Sequence, residues 1–185
     1  IPAWGRQRIR GMVENRQEWC ISRQRHWGVP IPAIYLRGSD EGILDGEFIN
    51  QLAEVIQKEG TLFWYKAIGD PEMLSVLPRV RELLPEGMTL KDVRLEKDIL
   101  DVWFDSGVSH HSVMAQEENL YPVDLYLEGS DQHRGWFQSS LVTAMSAGHE
   151  PPFRTVLTHG FTVDEDGRKL SKSRGNYVVL DDLIK

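Results

Sequence analysis

The chain has 185 residues, 41% hydrophobic, 26% charged and 9% aromatic, the make-up of an ordinary globular domain. Its formal charge of −7 argues against a uniformly basic nucleic-acid binder, and its single cysteine, Cys20, excludes a disulfide framework and any cysteine-based zinc site. That lone cysteine fits a reducing, cytoplasmic setting. No stretch approaches about 18 consecutive apolar residues and no basic-then-apolar leader opens the sequence, so neither a membrane span nor a secretory signal is expected.

Charge is uneven along the chain. Residues 1–37 carry seven Arg against Glu14 and Glu18, whereas residues 38–150 carry 8 basic and 21 acidic side chains. In the opening segment Arg8, Arg10, Arg16, Arg23 and Arg25 recur around Trp4, Trp19 and Trp27, and residues 19–22 are predicted as a short strand. Pro30 and Pro32 then break regularity. Residues 47–59 are predicted as an amphipathic helix, because Phe48, Leu52, Val55 and Ile56 fall at i, i+4, i+7 and i+8. Asp70-Pro71 predicts a helix start, with Asp as cap and Pro in the first turn. Residues 38–98 together read as a small acidic α+β insertion that packs and solvates.

Beyond it, residues 123–127 alternate as a strand, 133–147 read as a helix and 153–158 as a second strand. Strand, helix, strand predicts a parallel pair. In open parallel sheets ligands bind beyond the carboxyl ends of the strands. Glu128 to Gln132 and His159 to Thr162 are therefore expected at one binding edge. The sequence opens without Met and stops within a helical pattern at 180–185, so it is expected to be a piece of a longer protein.

The candidate chemistry lies at these ends. No Gly-Lys dipeptide, Gly-x-Gly-x-x-Gly, Gly-x-Ser-x-Gly or His-Glu-x-x-His occurs, which removes the P-loop, dinucleotide, hydrolase and zinc-protease signatures. Residues 164–176 form a polar loop with two glycines and the cations Arg168, Lys169, Lys172 and Arg174. Lysine is a mobile point charge suited to a polyphosphate whose charge redistributes; a solvated hairpin is the alternative. In Glu128-Gly-Ser-Asp-Gln-His-Arg-Gly-Trp136, two carboxylates beside a strand end suit an ammonium group, while Asp131 is also placed to cap the next helix. Asp101-Val-Trp-Phe-Asp-Ser-Gly107 offers Trp103 and Phe104 as pocket walls or as core. Adjacent His110 and His111 lack a third ligand at useful spacing, so no metal site is expected.

Taken together, Trp19-Cys-Ile-Ser-Arg-Gln-Arg-His-Trp-Gly-Val-Pro30, Asp101 to Gly107, Glu128 to Phe137 and Lys169-Leu-Ser-Lys-Ser173 resemble the class I aminoacyl-tRNA synthetases, and among them the isoleucine branch. The valine branch is similar around the first motif and much less so at the second and third. The resemblance spans residues 19–173 and is loose over 38–98. It implies an α/β fold, the second half of a Rossmann-like parallel-sheet nucleotide-binding catalytic domain, with residues 1–37 and 99–185 forming that half and 38–98 a connective insertion. The family's His-x-Gly-His signature, editing domain, anticodon-binding domain and zinc-binding tail find no match here. Leu170 stands where the family's phosphate loop has Met, a swap of similar volume.

Residue by residue, the resemblance implies that Glu128, Gly129, Asp131 and Gln132 hold an isoleucyl-adenylate. Trp103 and Trp136 would line the isoleucine pocket. His159, Gly160, Phe161 and Thr162 would border ATP, with Lys169 and Lys172 on its phosphates as the catalytic lysines. It further implies ATP with Mg2+ as substrate, isoleucine and tRNA(Ile) as the other partners, and an inactive isolated piece that lacks the first half of the catalytic domain. The competing reading is an RNA-binding or regulatory module built on the basic segment from Arg6 to Arg25.

Overall fold

The computed structural model describes residues 3–15, 18–116, 120–177 and 184. It divides into two compact bodies. One comprises residues 1–19 and 103–185, the other residues 20–102. The helical pattern at 180–185 falls almost wholly outside the described residues. No described helix is long and apolar enough to cross a membrane.

The body of residues 20–102 has a hydrophobic core. Its elements are β1 (Ser22–Arg23), β2 (Ile34–Leu36), β3 (Gly42–Ile43), α2 (Gly46–Glu59), α3 (Leu62–Gly69), α4 (Pro78–Glu82), β4 (Val93–Leu95) and β5 (Ile99–Leu100). Asp45 caps α2 by accepting the Phe48 N–H, and the periodic Phe48 and Leu52 are buried. They pack with Ile34, Trp64, Leu74, Val80, Val93 and Leu95. The antiparallel sheet β3-β2-β4 closes the other side. Asp70-Pro71 does start a helix, but a 3-10 one, Pro71–Val76, with the Asp70 carboxylate accepting the Glu72 N–H. Arg79 joins α4 to α2 by a forked contact with Asp45, both bonds at 3.0 Å. The predicted strand at 19–22 is the two-residue β1, displaced toward Arg23, and it pairs antiparallel with β5. That pairing brings residues 20–37 and 99–102 into this body along with 38–98, so the compact unit exceeds the insertion outlined by composition.

The other body is built on α1 (Ala3–Glu14), α5 (Val102–Gly107, whose first residue belongs to the second body), α6 (Ser109–Ser112), β6 (Val123–Gly129), α7 (Trp136–Ser146) and β7 (Phe153–His159). Strands β6 and β7 are parallel, in register from Val123↔Phe153 to Gly129↔His159. Between β6 and α7 the chain forms a 3-10 turn, Ser130–Arg134, so α7 begins three residues later than its periodicity predicts. Tyr126 is the buried residue of the strand's centre, stacked on Trp136 at 4.1 Å and bonded to the Ser140 hydroxyl at 3.0 Å. The alternating leucines lie on the opposite face, with Leu125, Leu127 and Leu157 47%, 51% and 52% exposed. Gly107 packs against Ser139 so closely that a Cβ would sit 3.0 Å from that side chain. α1 was not legible in the sequence and buries no residue.

Candidate functional site

The parallel register sets the two expected strand ends side by side: Glu128 opposite Thr158 and Gly129 opposite His159. Glu128 is exposed, and its carboxylate accepts the Gly129 N–H at 3.0 Å. Gly129 is buried, and a Cβ there would lie 2.7 Å from Asp131 Oδ1 and 3.8 Å from the His159 ring. The His159 Nδ1–H donates to the Gly160 carbonyl at 2.7 Å, which turns Nε2 away from that bond. Two carboxylates and an imidazole thus share the carboxyl edge of the sheet.

A second cluster forms one turn later. Gly135 lies where a Cβ would meet Gln132 Oε1 at 2.7 Å and Trp103 Cη2 at 2.9 Å. Gln132 Oε1 accepts the Trp136 N–H at 3.1 Å, so Gln132 satisfies a first-turn donor of α7. The alternative role for Asp131, capping the next helix, is absent; its carboxylate accepts from Gln132 Nε2 at 3.4 Å instead. The reason is the intervening 3-10 turn, which places Asp131 too early to reach the helix. Trp136 has one face on Tyr126, and its indole N–H donates to the Ser106 carbonyl at 3.1 Å. Trp103 keeps 41% of its surface exposed. Trp103, Gln132 and Trp136 are therefore brought together around Gly135, with Trp136 partly committed to packing.

Beneath both clusters lies His133, which sequence reasoning left without a role. It is buried, and Nε2 meets the Thr158 hydroxyl at 2.9 Å, tying the 3-10 turn to the end of β7. Nδ1 is buried without a partner. Burial, reinforced by the positive charge of Arg8 and opposed by Asp131, holds its pKa below the ordinary histidine value.

The lysine loop is a self-contained hairpin. Val163 bridges Lys169, and the Leu170 N–H donates to the Thr162 carbonyl at 2.9 Å. Asp164 Oδ1 accepts the N–H groups of Asp166 and Arg168, and Oδ2 accepts Asn176 Nδ2 at 2.8 Å. The same Asn176 amide donates to the Lys169 carbonyl at 3.3 Å and accepts the Ser171 N–H at 2.9 Å. Those bonds hold the Asp164 carboxyl below its usual range, the Asn176 contact contributing most. Gly175, at φ 70°, makes the left-handed turn that lets Asn176 fold back. Lys169 Nζ sits 3.5 Å over the Phe161 ring, and Lys172 Nζ 5.5 Å from the Tyr177 ring, both side chains exposed. No hydrogen bond or ion pair among the described residues joins Glu128 to either lysine. The Asp164–Asn176 clasp escaped sequence reading, although both residue types are common turn formers.

In the other body, Arg23 of the first motif pairs with Asp101 of the second at 2.5 Å, joining two segments 78 residues apart in the sequence.

Comparison with known proteins gives the family. The model of the tRNA synthetases class I (I, L, M and V) matches residues 1–185. The chain belongs to the class I tRNA synthetases. Within this family it is 49% identical to the isoleucine--tRNA ligase of Sulfurihydrogenibium sp. over 100% of its length and 20% of that relative's. It is 50% identical to the isoleucine--tRNA ligase of Desulfitobacterium hafniense over 96% of its length and 19% of that relative's. The chain thus spans about a fifth of the length of these curated relatives. Among solved structures, the LeuRS of Agrobacterium radiobacter K84, in a ternary complex with tRNA and LeuAMS, matches with a TM-score of 0.58 and 21% identity, over 95% of this chain and 24% of that one. That likeness supports an α/β, Rossmann-like fold. Among the described residues no group of three or more His, Cys, Asp or Glu can hold a metal ion.

Proposed function

We propose that this class I tRNA synthetase chain is the second half of the catalytic domain of an isoleucine--tRNA ligase, residues 1–37 and 99–185 with the insertion 38–98. The reading is carried by its identity of about half to isoleucine ligases along the whole chain, joined to the register that aligns Glu128–Gly129 with Thr158–His159. The substrates are isoleucine, ATP as its magnesium complex, and tRNA(Ile).

In the first step an isoleucine carboxylate oxygen attacks the α-phosphorus of ATP. The bond from that phosphorus to the bridging oxygen of the β-phosphate breaks, and pyrophosphate leaves with the electron pair. The nucleophile is already ionised at neutral pH, so no general base is needed. Acceleration must come from alignment and from charge placed on the phosphates. Glu128 and Asp131 hold the substrate ammonium, and Gly129 lets the backbone approach. Gln132 holds the adenylate with them, and Trp103 and Trp136 line the side-chain pocket. His159, Gly160, Phe161 and Thr162 border the adenosine. Lys169 and Lys172 follow the charge moving onto pyrophosphate, delivered by a hairpin whose geometry Asp164 and Asn176 set. In the second step a terminal ribose hydroxyl of tRNA attacks the acyl carbonyl, and AMP leaves. A wall of indole rings distinguishes isoleucine from valine by one methylene, worth about 1–3 kcal/mol.

Isoleucine-dependent ATP–pyrophosphate exchange by the full-length protein tests this reading. Exchange is expected with isoleucine, weaker with valine and weakest with leucine. Exchange with leucine or methionine in preference to isoleucine would refute the substrate assignment, and no exchange together with steeply salt-dependent RNA binding would favour a non-catalytic RNA-binding module.

A further inference from the structure

The reaction just described leaves one group of cations unused. α1 displays Arg6, Arg8 and Arg10 on a chain whose formal charge is −7. Arg10 is committed to Glu14 one turn on, at 2.7 Å. Arg8 and Arg134 are exposed and make no ion pair among the described residues. Both line one cleft of about 610 Å³, formed by α1, the 3-10 turn 130–134 and the first half of α7. Its other polar walls are the amides of Gln7, Asn15 and Gln138, and among the described residues no carboxylate lines it. The Gln138 amide donates to the Met12 carbonyl at 3.0 Å, which fixes α1 on α7 and sets the spacing of the two arginines.

Two guanidinium groups on different elements, with amides between them and no counter-charge among the described residues, complement an extended polyanion. A guanidinium fork matches phosphate oxygens bidentately. A volume of several hundred Å³ suits a ligand of many atoms rather than one phosphate. The family, moreover, acts on tRNA. We infer that this cleft binds the phosphodiester backbone of RNA, with Arg8 and Arg134 each contacting one phosphate. The inference rests on the reading of the chain as part of a tRNA ligase and adds to it a surface for the tRNA backbone. Such contacts carry affinity and orientation, not sequence.

The test is the salt dependence of binding of a fluorescent tRNA(Ile) transcript to the full-length protein. Each phosphate contact contributes about 0.7–0.9 to the slope of log K against log salt. Arg8→Gln/Arg134→Gln is expected to flatten that slope by about 1.4–1.8, and equally for an unrelated RNA. Gln7→Glu, which keeps both arginines but adds a carboxylate, is expected to weaken binding too. Arg10→Gln is expected to change neither slope nor affinity. An unchanged slope in the double variant with full affinity in Gln7→Glu, or an equal loss in Arg10→Gln, would overturn the inference. Wild-type isoleucine-dependent exchange is measured alongside. Exchange without a slope change sinks the cleft alone; a slope change without exchange sinks the ligase reading and leaves the cleft standing.

Discussion

Gly135→Ala is the most informative single change at the candidate site. A methyl group at residue 135 would lie 2.7 Å from Gln132 Oε1 and 2.9 and 3.0 Å from Trp103 Cη2 and Cζ3. Ordinary contact needs about 3.5 Å or more, so both side chains must move. Displacing Gln132 gives up its bond to the Trp136 N–H, about 1 kcal/mol. Forcing the Trp103 ring aside costs about 1–3 kcal/mol as overpacking. Thermal unfolding of the 185-residue chain is therefore expected to fall by about 5 °C or more. In the full-length protein, the KM for isoleucine in ATP–pyrophosphate exchange is expected to rise about tenfold or more, a loss of about 1.4 kcal/mol in binding. Because the clash is with the ring, Trp103→Leu in the Gly135→Ala background should cost less than the two single changes added together, by about 1 kcal/mol. Strict additivity, or an unchanged isoleucine KM, would refute the packing argument.

Asn176→Ala removes the clasp that joins Asp164, Lys169 and Ser171. It is expected to raise amide hydrogen exchange across 164–176 and, in the full-length protein, to lower kcat for adenylate formation about tenfold with little change in isoleucine KM; a rise in KM alone would contradict that role. His110 and His133 both carry lowered pKa values, chiefly from burial. Their neutral forms are the folded forms, so their contribution to stability is complete above about pH 6.5 and is lost as pH falls toward the folded values. Urea unfolding of the chain is expected to show a lower midpoint at pH 5.5 than at pH 7.5, with the difference reduced in His133→Gln; equal midpoints would contradict it. The 185-residue chain alone is expected to catalyse no isoleucine-dependent exchange, since the sequence holds no His-x-Gly-His to oppose the lysine hairpin; exchange that disappears with Lys172→Ala would overturn that expectation.

What the sequence made legible follows from the range of each interaction. α2 was readable because Phe48, Leu52, Val55 and Ile56 fall at helical spacing and the first two bury; its Asp45 cap became visible only in the structure. The β6–α7–β7 unit was readable because its strands are separated by a clear helical stretch, and its parallel register follows from that connection. α1 was not, because its apolar residues form no buried stripe and its arginines interrupt every turn. The leucine alternation along 123–127 marked a strand but misleads about which face packs: Tyr126 meets Trp136 and Ser140. The capping role passed from Asp131 to Gln132 because a 3-10 turn, set partly by the His133–Thr158 bond between distant residues, delays the helix. The Asp164–Asn176 clasp depends on a closed hairpin and left no periodic signal.

The account depends on the strand-end carboxylates and the hairpin lysines serving one activated-aminoacyl ligand in different ways. Single-turnover formation of isoleucyl-adenylate by the full-length protein, compared for Glu128→Gln and Lys172→Ala, tests this directly. Glu128→Gln is expected to weaken isoleucine binding about tenfold or more, and Lys172→Ala to slow the chemical step about a hundredfold or more at saturating isoleucine, the loss of roughly 2.7 kcal/mol of transition-state stabilisation. Full-rate adenylate formation by Lys172→Ala, or undiminished isoleucine affinity in Glu128→Gln, would contradict it.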